Sequence, residues 1–338
     1  MSVNPSIQSF KQFREVVYGF RLSRIIFTAL DLDLFNQMSN RTWTIAQLSK
    51  HIYTSQRGLE ILCRSLASTG LLVKLRAGYK ASPFATTYLQ KNSKDFRGDY
   101  LALMQRQWKE WSRLTEVVAS GIPLDSQEPE TPEYRRSFSW AMHHRSHDPA
   151  QQVAKQIALK SARSFLDLGG GPGTYALAFL RKNPHLQATV MDRPAALDVA
   201  RTLASQVSIE SRLSFQAGNF IEDRIPGKYD IVWYSNVLHI YSPAENLKVF
   251  KKIRRALQPG GRLLIQDTFL QDSQGLRPLE ANLFAVTMLL YTETGNTYPL
   301  ADVRSWLHKA GLSRTRVIRL KPGTGDWDGQ LLEARTPL

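Results

Sequence analysis

Residues 165–176 read Phe-Leu-Asp-Leu-Gly-Gly-Gly-Pro-Gly-Thr-Tyr-Ala, and no other stretch limits the fold as strongly. A short apolar strand ends in an acid, Asp167. A turn holding Gly169, Gly170, Gly171 and Gly173 then enters a helix near Thr174. Glycine takes backbone angles that a Cβ forbids and lets a large ligand lie against the main chain. Nineteen residues beyond Gly173, a second apolar strand (Ala188-Thr-Val-Met191) ends in Asp192. An acid at that place can accept hydrogen bonds from both hydroxyls of a ribose. Strand, glycine turn, helix, strand and acid together predict a nucleoside site on a parallel sheet. The plainer alternative is a turn that only packs a helix on a strand.

Gly171-Pro-Gly173-Thr-Tyr-Ala176 also satisfies the G-x-G-x-x-A form of a dinucleotide fingerprint, which is weak evidence when it stands alone. The acid that opens the run separates the readings. A carboxylate at Asp167 is poorly placed beside a pyrophosphate, whereas it suits a cationic ligand without phosphate. S-adenosylmethionine, a sulfonium with an amino-acid tail, is such a ligand and is favoured over NAD.

The chain has 338 residues, enough for two domains. Its longest apolar run, Asn282 to Tyr291, is too short to cross a bilayer, and no charged-then-apolar leader opens the sequence. Membrane insertion and secretion are therefore not expected. Cys63 is the single cysteine, set in a helical pattern with Leu59, Leu62 and Leu66, so a reducing cytoplasm fits. The net charge of +15 divides as +8 over residues 1–100, +1 over 101–160 and +6 over 161–338. A basic balance of this kind fits nucleic acid, an anionic surface or acidic substrates, and equally a solvated surface with no partner.

Helical periodicity runs through residues 8–37. Thr44 opens a short helix to Lys50, and Thr54 or Ser55 caps another through Ser68. Leu71–Val73 and Tyr79-Lys80 flank an Ala77-Gly78 turn as a hairpin, completing a winged helix, and Leu89 to Lys94 reads as an exit segment. Residues 100–119 return to helix. A stretch rich in proline and acids follows to Pro132, then a helix from about Tyr134 to Leu159. From Ser164 strands and helices alternate, the pattern of a doubly wound parallel α/β sheet, with strand cores at 165–167, 188–191, 213–216, 231–234 and 263–266. Arg314–Leu320 and Gly329–Ala334 read as closing antiparallel strands. The expected domains are 1–98 and 99–338.

The motifs Asp-Leu-Gly-Gly-Gly-Pro-Gly-Thr-Tyr, Asn236-Val-Leu-His239 and Leu257-Gln-Pro-Gly-Gly-Arg-Leu-Leu-Ile265, behind a winged helix, resemble those of the class I small-molecule O-methyltransferases. Caffeate and acetylserotonin O-methyltransferases are members. The resemblance spans nearly the whole chain. It implies a seven-stranded Rossmann-like sheet and a homodimer in which the winged helix dimerises instead of reading DNA. It also implies that Gly169, Gly171 and Gly173 form the cofactor loop, with Asp192 as the ribose acid. Gly218-Asn219-Phe220 occupies the family's Gly-Asp-[Met/Phe], where the acid or amide holds the adenine amino group and its neighbour packs on the ring. Asn219 stands in for the acid and can still accept. Ser235 stands where plant members carry a lysine.

Methyl transfer to oxygen needs an aligned acceptor, exclusion of water and removal of a proton. A phenol with pKa of about 10 is a poor nucleophile at neutral pH without a base, and histidine suits that task. His239 follows the fourth strand of the sheet at its carboxyl edge, where open α/β proteins bind ligands. It falls on the family's general base, although Ile240-Tyr241 replaces the usual Asp-Trp. Asp267 ends the neighbouring strand, where plant members carry a catalytic glutamate, and would orient the imidazole. A second family glutamate falls on Thr297 and is missing. His143, His144 and His147 lie on the helix before the glycine turn. There His143 and His147, spaced i, i+4, are a conceivable metal pair, while His143 or His144 reads as a contact to substrate or cofactor or as plain surface, and no metal is expected. Trp108, Trp111, Trp140, Met142, Phe284, Met288 and Tyr291 would wall a small-molecule acceptor, though such spacing also suits ordinary core. Two rivals remain at this level: a DNA-binding regulator and an NAD-dependent oxidoreductase. A phenolate can also be methylated at an ortho carbon by the same base.

Overall fold

The computed structural model describes residues 7–124, 131–159, 161–207, 209–320 and 330–337. The chain divides into two compact units, Met1–Gln105 and Arg106–Leu338. Among the described residues no helix is long and apolar enough to cross a membrane.

The first unit opens with α1 (Phe10–Tyr18), α2 (Phe20–Asp31), α3 (Leu34–Met38), α4 (Ile45–His51) and α5 (Gln56–Ser68). The continuous periodicity over 8–37 is broken twice, because Gly19 and the left-handed Asp33 each start a new helix. Thr44 caps α4 with a full capping box to Gln47, and Ser55, not Thr54, caps α5 through the Gly58 N–H. The hairpin β1 (Leu72–Leu75) and β2 (Gly78–Ala81) follows. Leu75 pairs with Gly78, so the turn is Arg76-Ala77, one residue earlier than the sequence suggested. A short α6 (Pro83–Tyr88), started by Ser82 and Pro83, was missed between hairpin and exit segment. Ala29, Phe35, Met38, Leu48, Leu59, Cys63, Leu66 and Tyr79 form this unit's core. α1 contributes nothing to it, leaving Phe10, Phe13, Val16 and Val17 about half exposed or more.

The boundary between units falls within α7 (Gly98–Trp111), which is separated from α8 (Leu114–Ser120) by a break at Ser112-Arg113. The linker residues 125–130 lie outside the described set. Next come α9 (Pro132–Gln156), β3 (Ser164–Leu168), α10 (Thr174–Lys182), β4 (Gln187–Asp192), α11 (Pro194–Ser205), β5 (Leu213–Ala217) and β6 (Tyr229–Ser235). The chain continues as α12 (Pro243–Ala256), β7 (Leu257–Asp267), β8 (Phe269–Leu270), α13 (Leu279–Tyr291), β9 (Tyr298–Pro299), α14 (Leu300–Lys309), β10 (Ser313–Ile318) and β11 (Gln330–Arg335).

One seven-stranded sheet runs β10-β11-β7-β6-β3-β4-β5. The five strands from β7 to β5 are parallel, while β11 joins β7 antiparallel and β10 closes the edge. This is the seven-stranded sheet that the family resemblance implies. Helices cover both faces, so the middle strands are apolar at their centres. Ile231, Val232, Trp233 and Tyr234 are all fully buried, as a parallel strand between two layers must be. One apolar cluster packs α9, α10 and α11 on one face, and a second packs α12 and α14 on the other. The order reverses between β3 and β6, which opens a crevice at the carboxyl ends of the parallel strands.

Candidate active site

One side of the crevice is made largely of main chain. Gly169 takes φ +68°, and a Cβ there would stand 2.8 Å from Val237 Cγ2 and 3.3 Å from the Phe220 ring. Gly171 takes φ +51° with nothing within 4 Å of the same position, so the outer side of the turn is open. The three strand ends are laced together: Gly169 N–H donates to Met191 O (2.9 Å), and Gly218 N–H to Asp192 O (3.1 Å). Asp192 ends β4 and accepts from the Gly171 N–H (2.7 Å) and the Arg193 N–H (2.7 Å). Burial raises its carboxyl above the usual range, opposed by these two amides and by the charges of Arg193 and Arg135. With further lone pairs to offer, it fits a ribose. Asp167 is buried behind the turn. Its Oδ2 accepts the Ala176 N–H (3.1 Å), and burial pushes its carboxyl up to about 7.

Phe220 is buried against Gly169, with its ring edge-to-face to Tyr234 and Tyr241. Asn219 Oδ1 accepts the Ile221 N–H (3.2 Å), while Asn219 N–H donates to Asp223 Oδ2 (2.7 Å). Asp223 thus brings a carboxylate to a loop where the family motif places one, a residue that sequence reasoning passed over. Its signal was an acid four positions beyond Asn219.

At the other end of the crevice the groups are side chains. His239 sits in a single 3₁₀ turn, Leu238–Ile240, just after β6. Its Nδ1 lies 2.8 Å from Asp267 Oδ1 at the end of β7, with both side chains almost wholly buried. A carboxylate partner makes Nδ1 the donor and leaves Nε2 with a lone pair. Asp267 Oδ1 also accepts the Thr268 N–H, while Oδ2 has no hydrogen bond among the described residues. The turn is pinned by groups that the sequence did not reveal. Buried Asn246 donates to the carbonyls of Leu238 and Tyr241, and Tyr298 OH donates to Tyr241 O (2.7 Å). Asn296 N–H donates to His239 O, which a Cβ at Gly295 would approach to 2.6 Å.

Phe284, on α13, meets the His239 ring edge-on at 4.6 Å. Met288 is buried one turn further along, and Tyr291 OH donates to Glu110 on α7. Trp108 on α7 and Met142 on α9 are half-buried. Ser235 ends β6, where its Oγ accepts from Asn236 Nδ2 (3.1 Å). Tyr175, not singled out in the sequence, buries its hydroxyl, and that burial pushes it up to about 12 against the lowering effect of Gln266 and Ser235. His143 faces the start of α10, its Nδ1 2.9 Å from Thr174 Oγ1. Thr297, in the place of the missing glutamate, is buried and donates to Ala281 O. Among the described residues no three His, Cys, Asp or Glu side chains converge to hold a metal.

A model of the O-methyltransferase domain matches residues 98–313, and one of the O-methyltransferase dimerisation domain matches residues 15–91. The chain belongs to the O-methyltransferase family. It is similar to the 3-hydroxy-5-methyl-1-naphthoate 3-O-methyltransferase of Streptomyces sahachiroi, 27% identical over 91% of either chain. An O-methyltransferase family protein from Burkholderia thailandensis has a similar structure, with TM-score 0.86 and 26% identity over 98% of this chain and 99% of that one. The fold also matches human N-acetylserotonin methyltransferase, solved in complex with SAM, at TM-score 0.84 and 22% identity over 98% of either chain. The glycine turn, Asp192 and the Gly218–Phe220 loop lie together at the carboxyl ends of the parallel strands, inside the residues matched by the O-methyltransferase domain.

Proposed function

We propose that this O-methyltransferase moves the methyl group of S-adenosylmethionine to a hydroxyl of an aromatic or extended small molecule, with His239 as the general base. The observation that carries the reading is the buried His239–Asp267 pair, 2.8 Å apart, at the same sheet edge as the glycine turn. When bound, the donor supplies an electrophilic methyl on a sulfonium. Gly169, Gly171 and Gly173 would give it main-chain contact, and Asp192 would take its ribose hydroxyls. Asn219 and Phe220 would hold and cover its adenine, with Ser235 near its tail. His239 Nε2 would take the acceptor's hydroxyl proton, and Asp267 would keep the imidazole in the right tautomer and stabilise its protonated form. Burial of the pair keeps water from competing.

The acceptor's ring packs on Phe284 and Met288, with Trp108 and Met142 completing the wall. The naphthoate acceptor in a relative's name is of this kind. His143 acts from behind, steadying Thr174. The N-terminal unit forms a homodimer, a reading supported by the dimerisation-domain match and by the exposed apolar face of α1. The lone, buried Cys63, with its thiol pushed up to about 12 by burial, suits a reducing cytoplasm.

The test is His239→Ala, assayed against a panel of phenols alongside calorimetry with S-adenosylhomocysteine. Affinity for the product should stay as in the wild type, while turnover falls on the order of 10²–10⁴-fold. Undiminished turnover would remove His239 from the role. Absence of binding in the wild type would remove the donor.

A further inference from the structure

We infer that a cavity bounded by α9, α10 and the end of α11 binds a small carboxylate with an apolar body. The cavity holds about 180 Å³, room for about six heavy atoms at roughly 30 Å³ apiece, a water's share of the liquid. Its lining is divided in a way that a carboxylate of this sort would match. On the polar side, His143, His147 and Gln151 occupy successive turns of one face of α9, Arg181 comes from the last turn of α10, and Gln206 follows α11. On the apolar side stand Leu177, Leu203 and Val207.

The charge on the lining has one sign. It contains neither Asp nor Glu, and the nearby Asp148 carboxylate is already engaged with His147 Nδ1 at 2.9 Å. Arg181 makes no hydrogen bond or ion pair among the described residues. A guanidinium offers two parallel N–H groups matched to the two oxygens of a carboxylate, and that fork makes the strongest of the ordinary charge-assisted pairs. The fixed positive charge argues against a cation. The leucine and valine wall argues against a bare, strongly hydrated oxyanion such as phosphate, which would leave that wall without a partner. An aliphatic carboxylate meets both conditions: its head lies on Arg181 with the amides of Gln151 and Gln206 as further donors, and its body lies on Leu177, Leu203 and Val207. His143 joins this wall to Thr174, so the ligand would lie against the helix that starts at the glycine turn.

Titration calorimetry of the full chain with sodium butyrate, with no donor or acceptor present, tests the site apart from the methyl-transfer reading. Wild type should give saturable binding, and Arg181→Gln should weaken it about ten-fold or more. Arg181→Lys should fall between, because it keeps the charge and loses the fork. Inorganic phosphate should bind more weakly than butyrate. Arg181 is exposed, and melting by circular dichroism checks that the variants fold. Absence of saturable butyrate binding, an unchanged affinity in Arg181→Gln, or phosphate binding as tight as butyrate would each overturn the proposal.

Discussion

The two ends of the crevice are built from different material. At the proposed donor end the turn from Gly169 to Gly173 presents backbone, and what matters there is that side chains are absent: a Cβ on Gly169 runs into Val237. At the proposed catalytic end, a few residues past β6, two side chains meet at hydrogen-bond distance and a web of buried groups holds the turn beneath them. One end is sensitive to added volume and the other to lost reach or lost charge. The carboxyl edge of a parallel sheet serves both, since strand ends can carry either a tight turn or an aimed side chain.

If the division is real, substitutions at the two ends should separate chemistry from binding. Asp267→Asn keeps the shape but removes the charge that stabilises an imidazolium. The amide can also present its NH₂ to Nδ1 and so favour the wrong tautomer. In steady-state assays kcat should fall on the order of 10²-fold or more while affinity for S-adenosylhomocysteine is kept. An equal loss of both would merge the two ends. Gly169→Ala should show the opposite pattern. The left-handed angle costs about 1–2 kcal/mol, and overpacking against Val237 about 1–3 kcal/mol more. Calorimetry should therefore show about ten-fold or greater loss of affinity for the demethylated cofactor, with a smaller drop in kcat at saturation. Gly171→Ala is the internal control. Its φ is also positive but its surroundings are open, so its cost should be the smaller of the two.

The same division explains what could be read in the sequence. Backbone devices leave local signatures: glycines in a run, an acid ending a strand, Thr44 three residues before Gln47. From these the sheet, the winged helix and the donor turn follow almost residue by residue. Long-range side-chain contacts leave none. Asn246 holds the His239 turn from α12, Gly295 lies under the His239 carbonyl from beyond α13, and Asp223 reaches Asn219 through its carboxylate. Each is an ordinary residue until the chain is folded. His143 shows the limit from the other side. Its sequence position suits contact with a ligand, and the fold adds a partner the sequence did not show, Thr174 Oγ1 at its Nδ1. The hairpin turn slipped by one residue because Gly78 looks like a turn glycine, whereas it pairs with Leu75. At φ +138° a Cβ there would collide with the Trp43 carbonyl, which is the stronger reason for glycine.

The smallest expected effect sharpens the contrast, because at the donor end even the conspicuous acid acts through burial. Asp167 is nearly inaccessible, with the Ala176 amide as its hydrogen-bond donor and Asp192 near enough to disfavour a second negative charge. Desolvation lifts its pKa from 3.8 to about 7. The folded chain therefore keeps a proton that the unfolded chain gives up in this interval. Where the native state binds more protons, stability falls as pH rises. The loss should run from about pH 4 to about pH 7 and level off above it. Asp167→Asn carries no charge at any of these pH values, and its Oδ1 can still accept from Ala176. Thermal melts at pH 5 and pH 8 should show the wild type losing more Tm between the two than the variant does. Asp192, whose carboxyl is also raised, gives a slope of the same sign in both chains, so the difference between them reads Asp167 and its coupling to Asp192. Equal slopes would mean that the Asp167 charge is compensated in the fold, and that the turn depends on its carboxylate as directly as the catalytic end depends on Asp267.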